Sequence, residues 1–264
     1  MAGHSAFTFD TALLRAPATT VSRGLTSQAG EPPDYDAVRA EHRGYRQSLQ
    51  AAGVETIVLP PLEAFPDSLF VEDPALVFGG TAIVLRPGAP SREGEAAALA
   101  PSLGAHFDTV MPLPGDGHVD GGDVLVTSRE VLIGLSARTD RVGADALARC
   151  LARLDLAARI VTTPPGVLHF KSDCALLDER TVLTTERLAR SGVFEGYDLL
   201  TVPDDELAAA NALRINDSVL VGATYTRTAA RLRAAGYATV PVPVDAIARL
   251  DAGLSCLSLR WRSR

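Results

Sequence analysis

The sequence predicts an α/β fold closed into a ring, a five-bladed α/β propeller of ββαβ-type repeats with pseudo-fivefold symmetry. Three observations carry this. First, four stretches repeat one pattern: "DPALVFGGTAIVLRPGAPSR" from Asp73, "DVLVTSREVLIGLSART" from Asp123, "DCALLDERTVLTTERLAR" from Asp173 and "NALRINDSVLVGATYTR" from Asn211. Each opens with Asp or Asn, then gives a short apolar run, a polar turn and a second apolar run, which is a hairpin signature. Second, the first three copies start at 73, 123 and 173, so the period is about fifty residues, and a fixed long period marks a repeat architecture. Third, a fifth copy is split between the ends of the chain. "TALLRAP" resembles the second strand of a hairpin and "CLSLRW" the first. Their pairing closes the ring and removes the free sheet edges. A doubly wound open sheet is the competing architecture, but consecutive hairpins argue against an all-parallel sheet.

The elements follow in order. "DYDAVRAEHRGYRQSLQAAG" reads as the helix of the split unit, with Tyr35, Val38, Tyr45 and Leu49 near one face and Gly53 as its C-cap. The hairpin turns are "GGT", "SRE", "DERT" and "NDS". Helices are expected after the second strands, in "REGEAAALAPSL", "GADALARCLARL" and "TRTAARLRAAG". Cys150 lies on the second of these and reads as core. The whole chain, 1–264, reads as a single domain.

Bulk properties narrow the function. The length allows burial of about three quarters of the unfolded surface, so no staples are needed. Three widely spaced cysteines make neither a disulfide framework nor a zinc pattern, and a reducing, cytoplasmic setting fits them. "MAGHSAFTFDTALLR" lacks the layout of a signal peptide, and no apolar run approaches the roughly 18 residues of a membrane span. Net charge is −7, with no basic cluster, which points away from nucleic acid. A mildly acidic protein suits a cationic small-molecule partner. The basic residues are nearly all arginine, and Lys171 is the single lysine.

In such a ring the starts of the inner strands converge on one mouth of the axis. Asp73, Asp123, Asp173, Asn211 and Cys256 hold equivalent places and are expected to cluster there, a natural binding site. Four stretches feed this mouth: "DSLFVED" (67–73), "HVDGGD" (118–123), "HFKSD" (169–173) and "GLSC" (253–256). Cys256 reads either as a thiolate nucleophile, with a nearby cation lowering its pKa, or as a buried inert thiol. Ser255 fails the nucleophile-elbow pattern because Leu257 stands where glycine is needed. His169 reads as a general acid/base or as a hydrogen-bonded structural histidine. His118 reads as a loop residue, and His4, His42 and His106 as peripheral. One acid of "DGGD" suits a partner for His169, though the motif is also an ordinary tight turn. Asp67, Glu72 and Asp73 suit a planar cation, since carboxylates pair with guanidinium in bidentate fashion. Strand alternation keeps Glu72 and Asp73 from pointing the same way. No ligand spacing for a metal and no phosphate-cradling glycine loop is present, so neither metal nor cofactor is expected.

These stretches together resemble one family. "LFVEDPALV", "RPGAPSR", "DGGDVLVTSREVLIGLSART", "HFKS" and "DAGLSCLS" are similar, in order, to the dimethylarginine dimethylaminohydrolases, members of the guanidine-modifying (pentein) superfamily. The resemblance implies the five-bladed propeller and hydrolysis of Nω-methylated arginines to citrulline and methylamine or dimethylamine, with no cofactor. It also implies roles by position. Cys256 is the nucleophile, His169 the acid/base and Asp120 the carboxylate of the triad. Asp67, Glu72 and Asp73 fall on the substrate's guanidinium side. Arg92 and Arg138 match the arginines that hold the substrate carboxylate, Leu25 a lid residue, and Leu250 the residue whose backbone meets the α-amino group. Arginine deiminases of the same superfamily carry Glu in "EGGD", Asp in "HxD" and an extra helical insertion. Asp120, Lys171 and the short chain favour methylated over free arginine. An arginine deiminase is the alternative within the superfamily, and a non-catalytic binding propeller is the alternative outside it. Monomer and homodimer both remain open.

Overall fold

The computed structural model describes residues 6–263, so His4 lies outside the described residues. The chain opens with β1 (Thr11–Arg15), α1 (Tyr35–Ala51) and β2 (Glu55–Leu59). Four complete units follow. The first is β3 (Ala75–Phe78), β4 (Thr81–Val84), α2 (Glu95–Leu103) and β5 (Thr109–Pro112). The second is β6 (Val124–Val126), β7 (Val131–Leu135), α3 (Arg141–Ala152) and β8 (Ala158–Thr162). The third is β9 (Cys174–Leu176), β10 (Thr181–Thr184), the short α4 (Glu186–Ala189) and β11 (Asp198–Thr201). The fourth is β12 (Leu213–Ile215), β13 (Ser218–Gly222), α5 (Thr226–Ala234) and β14 (Ala238–Val242). A short α6 (Asp245–Ala248) leads to β15 (Leu259–Trp261).

The strands form five three-stranded sheets. In each, the middle strand runs antiparallel to the inner strand and parallel to the outer one. The split copy closes as expected: β15 pairs antiparallel with β1, Thr11 opposite Trp261 and Leu13 opposite Leu259. Helices α1 to α5 each come between a middle and an outer strand, which is the crossover that parallel pairing demands, whereas α6 lies between the outer strand β14 and the inner strand β15.

Local chemistry explains the longer helices. Asp34 caps α1 by accepting the Ala37 N–H at 3.0 Å, and Val38, His42, Tyr45 and Leu49 form its buried stripe. Gly53 follows in the left-handed region, φ 82°, where a glycine carries no side-chain penalty. His42, expected at the periphery, is core; burial, helped by Arg46, pushes its pKa down to about 4. Asp140 caps α3 through the Gly143 N–H at 2.7 Å, and Cys150 is buried on its inner face.

The residues that open the repeats act as clasps between blades. Asp73 Oδ1 accepts the Gly122 N–H of the next unit at 3.0 Å. Asp123 Oδ1 accepts the Phe170 N–H at 2.8 Å. Asn211 Oδ1 accepts the Ser255 N–H at 3.0 Å. At the closing junction the Glu72 N–H donates to the carbonyl of Cys256 at 3.3 Å. Asp173 departs from the pattern and turns to its own unit, taking Thr185 and Arg187. Asp123 also receives the hydroxyls of Ser136 and Thr139, each at 2.7 Å. Asp123→Ala would strand these buried donors, so we expect a loss of about 2–4 kcal/mol of stability, read as a lower urea midpoint.

Candidate active site

A cleft of about 180 Å³ opens at one mouth of the ring. Among its lining residues are Leu25, Asp67, Asp73, Arg92, Arg138, His169, Leu250 and Cys256. Residues separated by up to 231 positions in the chain (256 − 25) thus meet in one site. The expectation that all five repeat-opening positions gather here needs correction. Asp73 and Cys256 line the cleft, whereas Asp123, Asp173 and Asn211 are absorbed in the contacts described above.

His169 stands at the end of an extended segment that enters a tight turn. Its Nε2 lies 2.9 Å from Asp120 Oδ2. Asp120 is fully buried, and its Oδ1 accepts the Gly88 N–H at 2.7 Å. The glycines of "DGGD" have a steric reason. A Cβ on Gly121 would sit 2.0 Å from the Glu72 carbonyl, and one on Gly122 would come within 3.0 Å of both Asp73 and the His169 ring. Burial works against a charged imidazole. The Asp120 hydrogen bond, with the charges of Asp73, Asp123 and Asp120, outweighs it and lifts the His169 pKa to about 9. At neutral pH the ring is therefore an imidazolium ready to give a proton.

Cys256 lies on a single 3-10 turn, Ser255–Leu257, and is 8% exposed. Burial first, then the charges of Asp73 and Glu72, push its thiol up to about 12. The hydrogen bond from the Gly253 backbone and the charge of Lys171 pull the other way without prevailing. At neutral pH the sulfur is a thiol.

The three acids of "DSLFVED" separate. Asp73 Oδ2 receives Nη1 of Arg92 at 2.5 Å. Burial would raise the Asp73 pKa, but Arg92 and His169 hold it below the ordinary value. Asp67 Oδ1 accepts the Leu25 N–H at 3.0 Å, which ties the Leu25 segment to the cleft wall. Burial raises its pKa despite Arg92. Glu72 is corrected: its carboxylate turns away from the cleft. Its Oε1 meets Lys171 Nζ at 2.7 Å and Arg260 Nη2 at 2.9 Å, and its Oε2 takes the Ser255 hydroxyl at 2.9 Å. The lone lysine is thus tied to the floor beneath Cys256.

Arg92 is also more committed than expected. Its Nε and Nη2 bind Glu95, Nη2 also donates to the Phe70 carbonyl at 3.0 Å, and Nη1 is on Asp73. Glu95 escaped the sequence reading, because a helix-opening glutamate is ordinary on a surface. Here it is 3% exposed, and burial lifts its pKa to about 7 against the pull of Arg92. The side chain of Arg138 makes no hydrogen bond to any described residue, so its guanidinium is free in the cleft. Asp73, Asp120 and His169 also offer three ligand atoms within 4.8 Å, but Arg92 already supplies the balancing cation.

Comparison with known proteins decides the family. The chain is 34% identical to the N(G),N(G)-dimethylarginine dimethylaminohydrolase of Pseudomonas aeruginosa over 250 residues, covering 94% of this chain and 98% of that one. This chain belongs to the dimethylarginine dimethylaminohydrolase family. The Streptomyces coelicolor dimethylarginine dimethylaminohydrolase is 31% identical, with 95% and 96% covered. The sequence model of the arginine deiminase family matches residues 101–191. In three dimensions, a cysteine-to-serine mutant of the Pseudomonas dimethylarginine dimethylaminohydrolase complexed with citrulline superposes with a TM-score of 0.93, at 33% identity over 97% of this chain and 100% of that one. A histidine-to-glycine variant of a dimethylarginine dimethylaminohydrolase, as its adduct with S-methyl-L-thiocitrulline, gives 0.92 at 33% identity, covering 96% and 100%. The N-terminal domain of the cyanobacterial arginine dihydrolase ArgZ, at 18% identity and a TM-score of 0.82, shares the fold. The five-bladed ring expected from the repeats is therefore the ring of this dimethylarginine dimethylaminohydrolase family member.

Proposed function

We infer that the protein hydrolyses Nω-methylated L-arginines to L-citrulline and dimethylamine or methylamine through a covalent cysteine intermediate. The observation that carries this reading is one cleft holding Cys256, the Asp120–His169 pair and the carboxylates of Asp67 and Asp73. A guanidinium carbon is a poor electrophile because its charge is delocalised. Asp73 grips the guanidinium and fixes its orientation, while Arg92 and Glu95 hold Asp73 in place from behind. Arg138 takes the substrate carboxylate with its free guanidinium. Arg92 assists through its remaining Nη1 hydrogen. Asp67, with the backbone of Leu25 and Leu250, receives the α-ammonium group.

The arriving cation offsets the field of Asp73 and Glu72, and the Cys256 thiol gives up its proton to solvent to become the thiolate. The sulfur attacks the guanidinium carbon and forms a C–S bond in a tetrahedral adduct. His169 gives its proton to the amine, the C–N bond breaks, and a thiouronium remains. Neutral His169 then takes a proton from water. The hydroxide adds to the same carbon, the C–S bond breaks, the proton of the adduct's hydroxyl passes to the departing sulfur, and citrulline leaves. Asp120 keeps the imidazole oriented throughout. No cofactor takes part in this scheme. A cytoplasmic location, and a monomer or homodimer, complete the proposal; among the described residues no helix is long and apolar enough to cross a membrane.

The deciding experiment is citrulline release from asymmetric dimethylarginine and from free arginine, run side by side. Faster release from the methylated substrate is the expected result. Turnover of arginine alone would move the chain to deiminase chemistry, and no turnover of either would leave a binding propeller.

A further inference from the structure

The ring encloses a larger space than the cleft. A second space of about 410 Å³ occupies the axis, with its floor beneath Cys256 at Glu72 and Ser255. All five inner strands line it, through Leu76, Val124, Leu176, Leu213 and Leu259 among others. Its charge runs against that of the protein. The chain carries −7 overall, yet the cavity collects Lys171, Arg214, Arg260 and Arg262 against one carboxylate, Glu72. That carboxylate is saturated by Lys171, Arg260 and Ser255.

Donors remain unused. Arg214 gives its Nε to the Asn216 carbonyl and lies 5.9 Å and 5.8 Å from the Phe7 and Tyr237 ring centroids. Its two terminal nitrogens make no hydrogen bond to any described residue. Lys171 spends one ion pair on Glu72 and has two further N–H groups. The buried Nε of Arg260 has no hydrogen-bond partner in the structure, and an orphaned buried donor of this kind calls for an explanation. A cavity of this size, with apolar walls and a few convergent polar groups, has the usual make-up of a small-molecule site.

We propose that the axial cavity is a binding site for a small organic anion with an apolar body, such as a medium-chain monocarboxylate. The head group pairs with Arg214 and Lys171, and the tail lies against the inner strands. Because Ser255 and Glu72 are chain neighbours of Cys256 and Asp73, an occupied cavity adjoins the cleft without entering it.

The chain supplies its own reporter. Trp261 is the single tryptophan and lies on the cavity wall. The test is a fluorescence titration of the wild-type protein with hexanoate, performed with citrulline at saturation so that Arg138 in the cleft is not read. Hexanamide serves as the neutral counterpart and sulfate as the anion without a tail. The expected result is a saturable change with hexanoate alone, with a dissociation constant of about 1 mM or tighter, weakened at least about tenfold in Arg214→Met. The same variant should keep wild-type citrulline formation, because Arg214 is remote from the cleft. A flat titration up to about 10 mM, an equal response to hexanamide, or an undiminished response in Arg214→Met overturns the proposal. If Arg214→Met fails to fold, the contrast between hexanoate and hexanamide on the wild type decides alone.

Discussion

Cys256→Ser should leave a folded protein that forms no measurable citrulline from asymmetric dimethylarginine, a loss on the order of 10⁴-fold or more. The reason lies in the acidity of the attacking atom. Even sulfur is neutral at pH 7, because burial and the carboxylates of Asp73 and Glu72 raise the thiol to about 12. A serine hydroxyl in the same place starts as a still weaker acid, and His169 is already protonated at neutral pH and cannot act as its base. The thiol argument has its own readout. With wild-type protein, alkylation by a neutral reagent such as iodoacetamide should be slow at pH 7 and climb steadily into the alkaline range. A haloalkyl amidinium, which brings a positive charge to Asp73, should react much faster at pH 7. Equal rates for both reagents at pH 7 would mean that the bound cation does not activate the sulfur.

The second large effect is expected at Asp120. Asp120→Asn removes the leading favourable contribution to the His169 cation, and burial then drives its pKa down from about 9. Citrulline formation at pH 7 should fall on the order of 10²–10⁴-fold, the usual worth of a positioned acid. The alkaline limb of the rate profile should move to lower pH. Stability changes in a matching direction. The folded pKa of His169 is raised above its ordinary 6.5, so the stabilising contribution of the pair is fully present below about pH 6.5 and disappears as pH rises through about 9. In Asp120→Asn that decline between pH 6.5 and 9 should be largely flattened in denaturant midpoints. An unchanged profile would show that the pair does not set the charge of the ring.

The ring was legible because repetition is a property of the sequence itself. Hairpin turns at fixed spacing and a split copy at the two ends led directly to the β1–β15 seam. The cleft was legible in part. Cys256, His169, Asp73, Asp67, Arg138, Leu25 and Leu250 do meet there, and Asp120 stands behind His169. The errors share a cause. Glu72 and Asp73 are adjacent, and alternation dictates only that they diverge. Which one faces the cleft depends on Lys171, Arg260 and Ser255, which are far away in the chain. His42 was misjudged because one polar residue in a helix stripe looks like an edge until its neighbours are in place. Glu95 was missed for the converse reason: its partner Arg92 is three residues away, a spacing that is commonplace on exposed helices and telling only when both side chains are buried. Asp123 and Asn211 carry the repeat signature yet serve the junctions, since equivalence in a repeat specifies a place in the backbone and not a task.

The seam between β1 and β15 sets the timing of assembly during synthesis. A chain emerges from the ribosome from its N-terminus onward. Strand β1 has to wait for β15, and meanwhile its edge toward that strand is bare. The turn that bears Cys256 comes immediately before β15, so the sulfur is among the late arrivals. The cleft that Cys256 lines is therefore completed in the same step that pairs β15 with β1.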